Sequence, residues 1–91
     1  MPSTSESQIA DAVIRYLADR PNQKDKIRNI IAGLPEYINL TQEDEQESQT
    51  RPGEALWEQR VRNIVSHKET PGNAIYEGRL GHEKPAILFI P

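Results

Sequence analysis

Gln59, Arg62, Asn63 and Ser66, with the small residue Ala55, fall on one side of residues 54–68 when that stretch is wound at about 100° per residue. Arginine, glutamine and asparagine present paired hydrogen-bonding groups that match the edges of base pairs, and small residues let a helix approach closely. The other side carries Trp57, Val61, Ile64 and the aliphatic stem of Lys68, with Val65 at its margin. The polar strip contains no carboxylate, although Glu54, Glu58 and Glu69 lie close by in sequence. One buried stripe and one strip of Gln, Arg, Asn and Ser is the pattern of a recognition helix.

A second set of residues has the chemistry to hold phosphates. Arg51, Lys68, Arg79 and Lys84 are cations that fix register without reading sequence. His67 falls at a helix C-terminal end, where the helix dipole favours a cation, so it serves either as an ordinary cap or as a phosphate contact. His82 lies near a predicted hairpin tip with Lys84. Arg60 lies toward the core side and is expected to reach backbone or an acidic neighbour. Trp57 reads first as a core anchor; a role as a wall touching a modified base requires a partly exposed ring.

The same inventory leaves little for catalysis. His67 and His82 are the only histidines, cysteine is absent, and no His-Glu-x-x-His or comparable ligand spacing occurs. The serines have no evident base and acid partners. The run Glu43, Asp44, Glu45, Glu47 lacks the spacing of a calcium loop and reads as a solvated charge run. No enzyme activity, metal or cofactor is expected.

Ninety-one residues suit one domain, residues 1–91, with one thin core at 35% hydrophobic content. Without cysteine there is no disulfide, and without a long apolar run or a signal pattern in residues 1–5 no membrane partner is expected; a cytoplasmic location fits. The net charge of −3 disfavours a polyanion partner overall. Residues 1–50 hold five Lys/Arg against nine Asp/Glu, whereas residues 51–91 hold six against five, so the C-terminal half is the less repulsive.

The elements that must position these residues follow from periodicity. Ser3 with Glu6, or Ser5 with Gln8, offers a capping box for a helix over about 6–18, ended by Pro21. Asn22 is expected to cap a second helix with Ile27, Ile30, Ile31 and Leu34 buried, closed by Gly33 and Pro35, and with Lys24, Lys26 and Arg28 on a solvated face. Residues 37–40 read as a short third strand, Thr41 as the cap of an acidic turn, and residues 46–52 as a flexible loop. After the Pro71-Gly72-Asn73 turn, residues 74–80 and 86–90 read as two strands, with Gly78 as a bulge and residues 81–84 as the tip. Three main helices plus a C-terminal β-hairpin form an α+β chain whose expected architecture is a winged helix-turn-helix, with the recognition helix at about 54–67 and the wing at about 79–84.

The run from Pro52 to His67 carries Gly-Glu-x-x-Trp-x-x-x-Val-Arg-Asn-x-x-Ser-His and is followed by Pro71-Gly72-Asn73. It resembles small winged-helix domains attached to bacterial restriction endonucleases, both Mrr-type N-terminal domains and those fused to HNH nucleases. The resemblance covers about half of the chain; the two N-terminal helices match only in pattern. It implies double-stranded DNA as the partner in a restriction-modification setting and, for some such domains, reading of N6-methyladenine. By matching position it implies that Arg62, Asn63, Ser66 and His67 lie near DNA and that Trp57 is the motif's aromatic. No nuclease constellation accompanies it, so the chain is expected either to serve a nuclease module, in cis or in trans, or to be a stand-alone protein that only binds. The competing reading is a protein-interaction module that links a nuclease or regulator to a partner.

Overall fold

The computed structural model describes residues 4–91. Their order is α1 (Glu6–Ala18), β1 (Lys24–Lys26), α2 (Ile27–Gly33), α3 (Leu56–Ser66), β2 (Gly81–Glu83) and β3 (Ile87–Phe89). The strands form one antiparallel sheet in the order β1-β3-β2. The fold is therefore α+β, three α-helices with a small sheet, among the described residues.

Helix α1 has the expected bounds because both ends are specified locally. Ser5 Oγ accepts the Gln8 amide at 3.1 Å while Gln8 Oε1 accepts the Ser5 amide at 2.9 Å, a reciprocal capping box. The Ser3 alternative lies outside the described residues. Ile9, Val13, Tyr16 and Leu17 are buried on one face. Across from them α3 buries Trp57, Val61 and Ile64, and α2 adds Ile27 and Ile30, with Leu34 just beyond it. Fully burying such a side chain stabilises by roughly 1.5–3 kcal/mol each, so these stripes hold the three helices together.

Several expected elements are corrected by side-chain chemistry that periodicity does not register. Asn22 does not cap α2: it and Gln23 take left-handed backbone, φ 59° and 53°, and turn the chain into β1. Asp25 then fixes the start of α2. Its carboxylate accepts the Lys26 amide at 2.8 Å, the Asn29 amide group at 2.9 Å and the Tyr16 hydroxyl at 2.7 Å. The third strand is thus residues 24–26, not 37–40, which form turn and coil after the 3-10 turn Leu34–Glu36.

The predicted strand over 74–80 is instead a series of turns. Asn73 causes it: its buried side-chain oxygen accepts the Ile75 and Tyr76 amides at 2.8 and 3.1 Å, and its nitrogen donates to the Ile64 carbonyl at 3.0 Å. That arrangement curls the backbone, and Gly78 at φ 80° closes the turn rather than making a bulge. The hairpin tip consequently shifts from 81–84 to residues 84–86, between β2 and β3.

Glu43, Glu45 and Glu47 are solvated as expected, but Asp44 is not, and residues 46–52 are tied down rather than loose. Thr41 Oγ1 accepts the Asp44 amide at 3.1 Å, as expected of its capping role. Asp44 itself is 0% exposed. It accepts the Thr4 amide and hydroxyl, both at 2.6 Å, and the Thr41 amide at 2.8 Å, while its carbonyl accepts the Trp57 amide at 3.2 Å. Ser48 is also buried and gathers Thr50, Arg51 and Gln59, and the backbone of residues 46–48 bonds that of 54–56. No helix among the described residues is long and apolar enough to cross a membrane.

Candidate nucleic-acid interface

The β1-β3 and β3-β2 registers decide where the cations of the sheet point. Lys26 and Glu83 sit beside Ile87, Asp25 and His82 beside Leu88, and Lys24 and Gly81 beside Phe89. Directly opposed residues share a face. Leu88 is fully buried, so Asp25 and His82 belong to the core-facing side, and Lys24 and Lys26 to the outer one. His82 is accordingly half-buried within β2 rather than at the hairpin tip. Gly81 is needed where the Phe89 ring crosses it, since a Cβ there would collide with that ring.

The outer side of β1 leads into α2 and opens onto a cleft of about 300 Å³ lined by Lys26, Ile27, Arg28, Arg62, Pro85, Ala86 and Ile87. Lys26 and Arg28 thus share one groove with Arg62, which is distant in sequence, with the hairpin tip as its far wall and Lys84 exposed at that tip. Lys26, Arg28 and Lys84 have no ion-pair partner among the described residues. Among the described residues Lys24 makes only a long, half-exposed contact to Glu83 at 3.8 Å.

Of the residues the sequence nominated, Arg62 is the one that reaches this cleft. Its strip is not free of carboxylate in three dimensions. Arg62 Nε donates to Glu54 Oε2 at 2.8 Å, and Arg51 Nε donates to Glu54 Oε1 at 2.9 Å. Burial pushes Glu54 up, but the hydrogen bonds from Arg62 and then Arg51 outweigh it and hold the carboxyl below its ordinary value. Gln59 is engaged at both ends of its amide, accepting from Ser48 Oγ and donating to Thr50 Oγ1 at 2.7 Å. Ala55 is the partly buried N-cap of α3, bridged to Glu47. Asn63 is half-buried on α3 and Ser66 is exposed at its last turn.

The nominated phosphate contacts separate into groups. His67 Nδ1 faces Glu6 Oε1 at 2.8 Å, and Arg79 bonds Asp11 at 2.9 Å, so both are held against α1. Lys68 is exposed beyond α3, and Arg51 belongs to the Glu54 cluster. Arg60 reaches the Thr4 carbonyl. Trp57 is 6% exposed, so its ring lies in the core and the condition for touching a base is not met.

Lys26 and Arg28 are the residues that sequence reading assigned to an ordinary solvated face. The signal was the alternation Lys24-Asp25-Lys26, a period of two that places both lysines on one side of a strand. Comparison of the chain with protein-family models, with curated proteins and with solved structures finds no match.

Proposed function

We propose that this chain is a winged-helix domain that binds double-stranded DNA, with α3 at the major groove and the β2-β3 hairpin as the wing. The element order supports the reading: a strand between the first two helices completes the sheet of a hairpin that follows the third. The observation that carries it is the cleft in which Lys26, Arg28 and Arg62 converge beside the hairpin tip. Lys26 and Arg28, which have no ion-pair partner among the described residues, provide the counterion release that drives binding to a phosphate backbone, despite the overall charge of −3. Lys26, Arg28 and Lys84 would position the duplex, and Arg62, Asn63 and Ser66 would face the base edges.

The restriction-modification setting rests on the resemblance of residues 52–73. With Trp57 buried, methylated and unmethylated duplexes are expected to bind alike through this face. An NMR titration with random duplex, with and without N6-methyladenine, tests both points. Shifts should concentrate on residues 26–28, 62–66 and 84–87, and binding should weaken steeply between low and physiological salt. Absence of shifts at low salt would end the DNA reading.

The floor of the same cleft favours a second reading. Ile27, Pro85, Ala86 and Ile87 are apolar, which suits docking of a protein segment carrying acidic and aliphatic residues. Such docking would tolerate salt better than DNA binding does.

A further inference from the structure

The Arg51-Glu54-Arg62 cluster is built asymmetrically. One carboxylate holds two guanidinium groups, each through its Nε, at 2.9 and 2.8 Å. Among the described residues no hydrogen bond engages the two terminal nitrogens of Arg62. A guanidinium held by Nε keeps its Nη1 and Nη2 side available, and that pair matches guanine O6 and N7. Arg62 also lines the cleft and is only partly exposed, whereas the neighbouring Gln59 has both ends of its amide occupied.

Resting on the DNA-binding reading above, we propose that Glu54 is a positioning residue that presets Arg62 to read guanine. Arg51 completes the device by fixing the second oxygen of the same carboxylate, so the carboxylate cannot swing with Arg62. A free arginine must order several rotatable bonds on binding; one already held loses less freedom at that moment. The cluster keeps a net positive charge, so it remains attractive to DNA while the tether gives Arg62 a fixed direction.

The test is selection from a duplex library with randomised central base pairs, followed by sequencing, together with anisotropy on unselected duplex. Wild type should enrich guanine at one position. R62K, which keeps the charge but not the planar fork, and E54A should both lose that enrichment, from about tenfold toward none. Affinity of E54A for unselected duplex should hold or rise, because a negative charge has gone. E54Q keeps the side-chain volume and one acceptor oxygen, and should fall between wild type and E54A; it also answers the question if E54A does not fold. Full retention of the guanine preference in the Glu54 variants, or a wild type that binds DNA with no guanine preference, overturns the inference and leaves DNA binding standing. A wild type that binds no duplex at low salt overturns the DNA reading itself.

Discussion

Two charged stretches of similar length serve opposite ends in this molecule. Of Glu43, Asp44, Glu45 and Glu47, three are exposed, but the two that make hydrogen bonds from their side chains spend them on the chain's own backbone and hydroxyl groups. Asp44 gathers Thr4 and Thr41, and Glu47 accepts the Gly53 amide at 3.0 Å. Lys24, Lys26 and Arg28 lie on β1 and the start of α2, where little besides the distant Glu83 answers them. Both stretches border hollows: about 610 Å³ over Asn39–Gln46, lined by Glu43 and no cation, and about 300 Å³ at the basic cleft. Charge that the fold consumes in its own hydrogen bonds marks structure. Charge left over beside an apolar groove marks a surface for something else.

The largest effect should come from D44A. It leaves the Thr4 amide and hydroxyl and the Thr41 amide without their buried acceptor, and should lower unfolding free energy by about 2–4 kcal/mol. Urea denaturation gives the value; a loss below the normal surface range of about 0.5 kcal/mol would mean that Asp44 is as solvated as its neighbours.

Acid should act through the same group. Burial raises Asp44 and Asp25, but hydrogen bonds, from Thr4 to the first and from Asn29 and Tyr16 to the second, hold both below the ordinary carboxylate value, as with Glu54. A lowered folded pKa means that the stabilisation is complete above the unfolded value, near pH 4, and is lost as pH falls through the folded value. Tyr16 is raised, first by burial and then by Asp25, so its contribution holds below about pH 10 and is lost as pH rises further. The contribution of these four groups should therefore be constant from about pH 5 to about pH 9. A midpoint that climbs on acidification from pH 5 to 3 would contradict the inward-facing role of these carboxylates.

Charge reversal at the cleft should separate binding from folding. K26E with R28E should weaken binding to random duplex by about tenfold or more at low salt and flatten its salt dependence by roughly two counterions. Both side chains are exposed, so stability should move by no more than about 0.5 kcal/mol. Unchanged affinity would remove the cleft from the interface. The smallest effect is expected at Gln59, which the recognition strip includes by position and the loop claims by hydrogen bonding. Q59A should cost about 1 kcal/mol of stability with base preference intact. A changed base preference at full stability would return Gln59 to the reading surface.

The sequence by itself determined the elements whose information is local. Ser5 and Gln8 cap α1 within one turn, and the apolar repeats Ile9-Val13-Leu17 and Trp57-Val61-Ile64 set which helix faces are buried. Periodicity reports these because neighbours along a helix share a face. Tertiary structure alone decided the rest. Residues 24–26 become a strand only because β3, more than sixty positions later, supplies the partner hydrogen bonds. Residues 74–80 fail to become one because Asn73, anchored to the Ile64 carbonyl, captures their amides first. The site was half legible for the same reason. Arg62 stands out on its own helix, but Glu54 pairs with it from just before the helix N-terminus, off the helical period, and the cleft partners Lys26 and Arg28 reach it across a long loop, so neither contact leaves a period in the sequence.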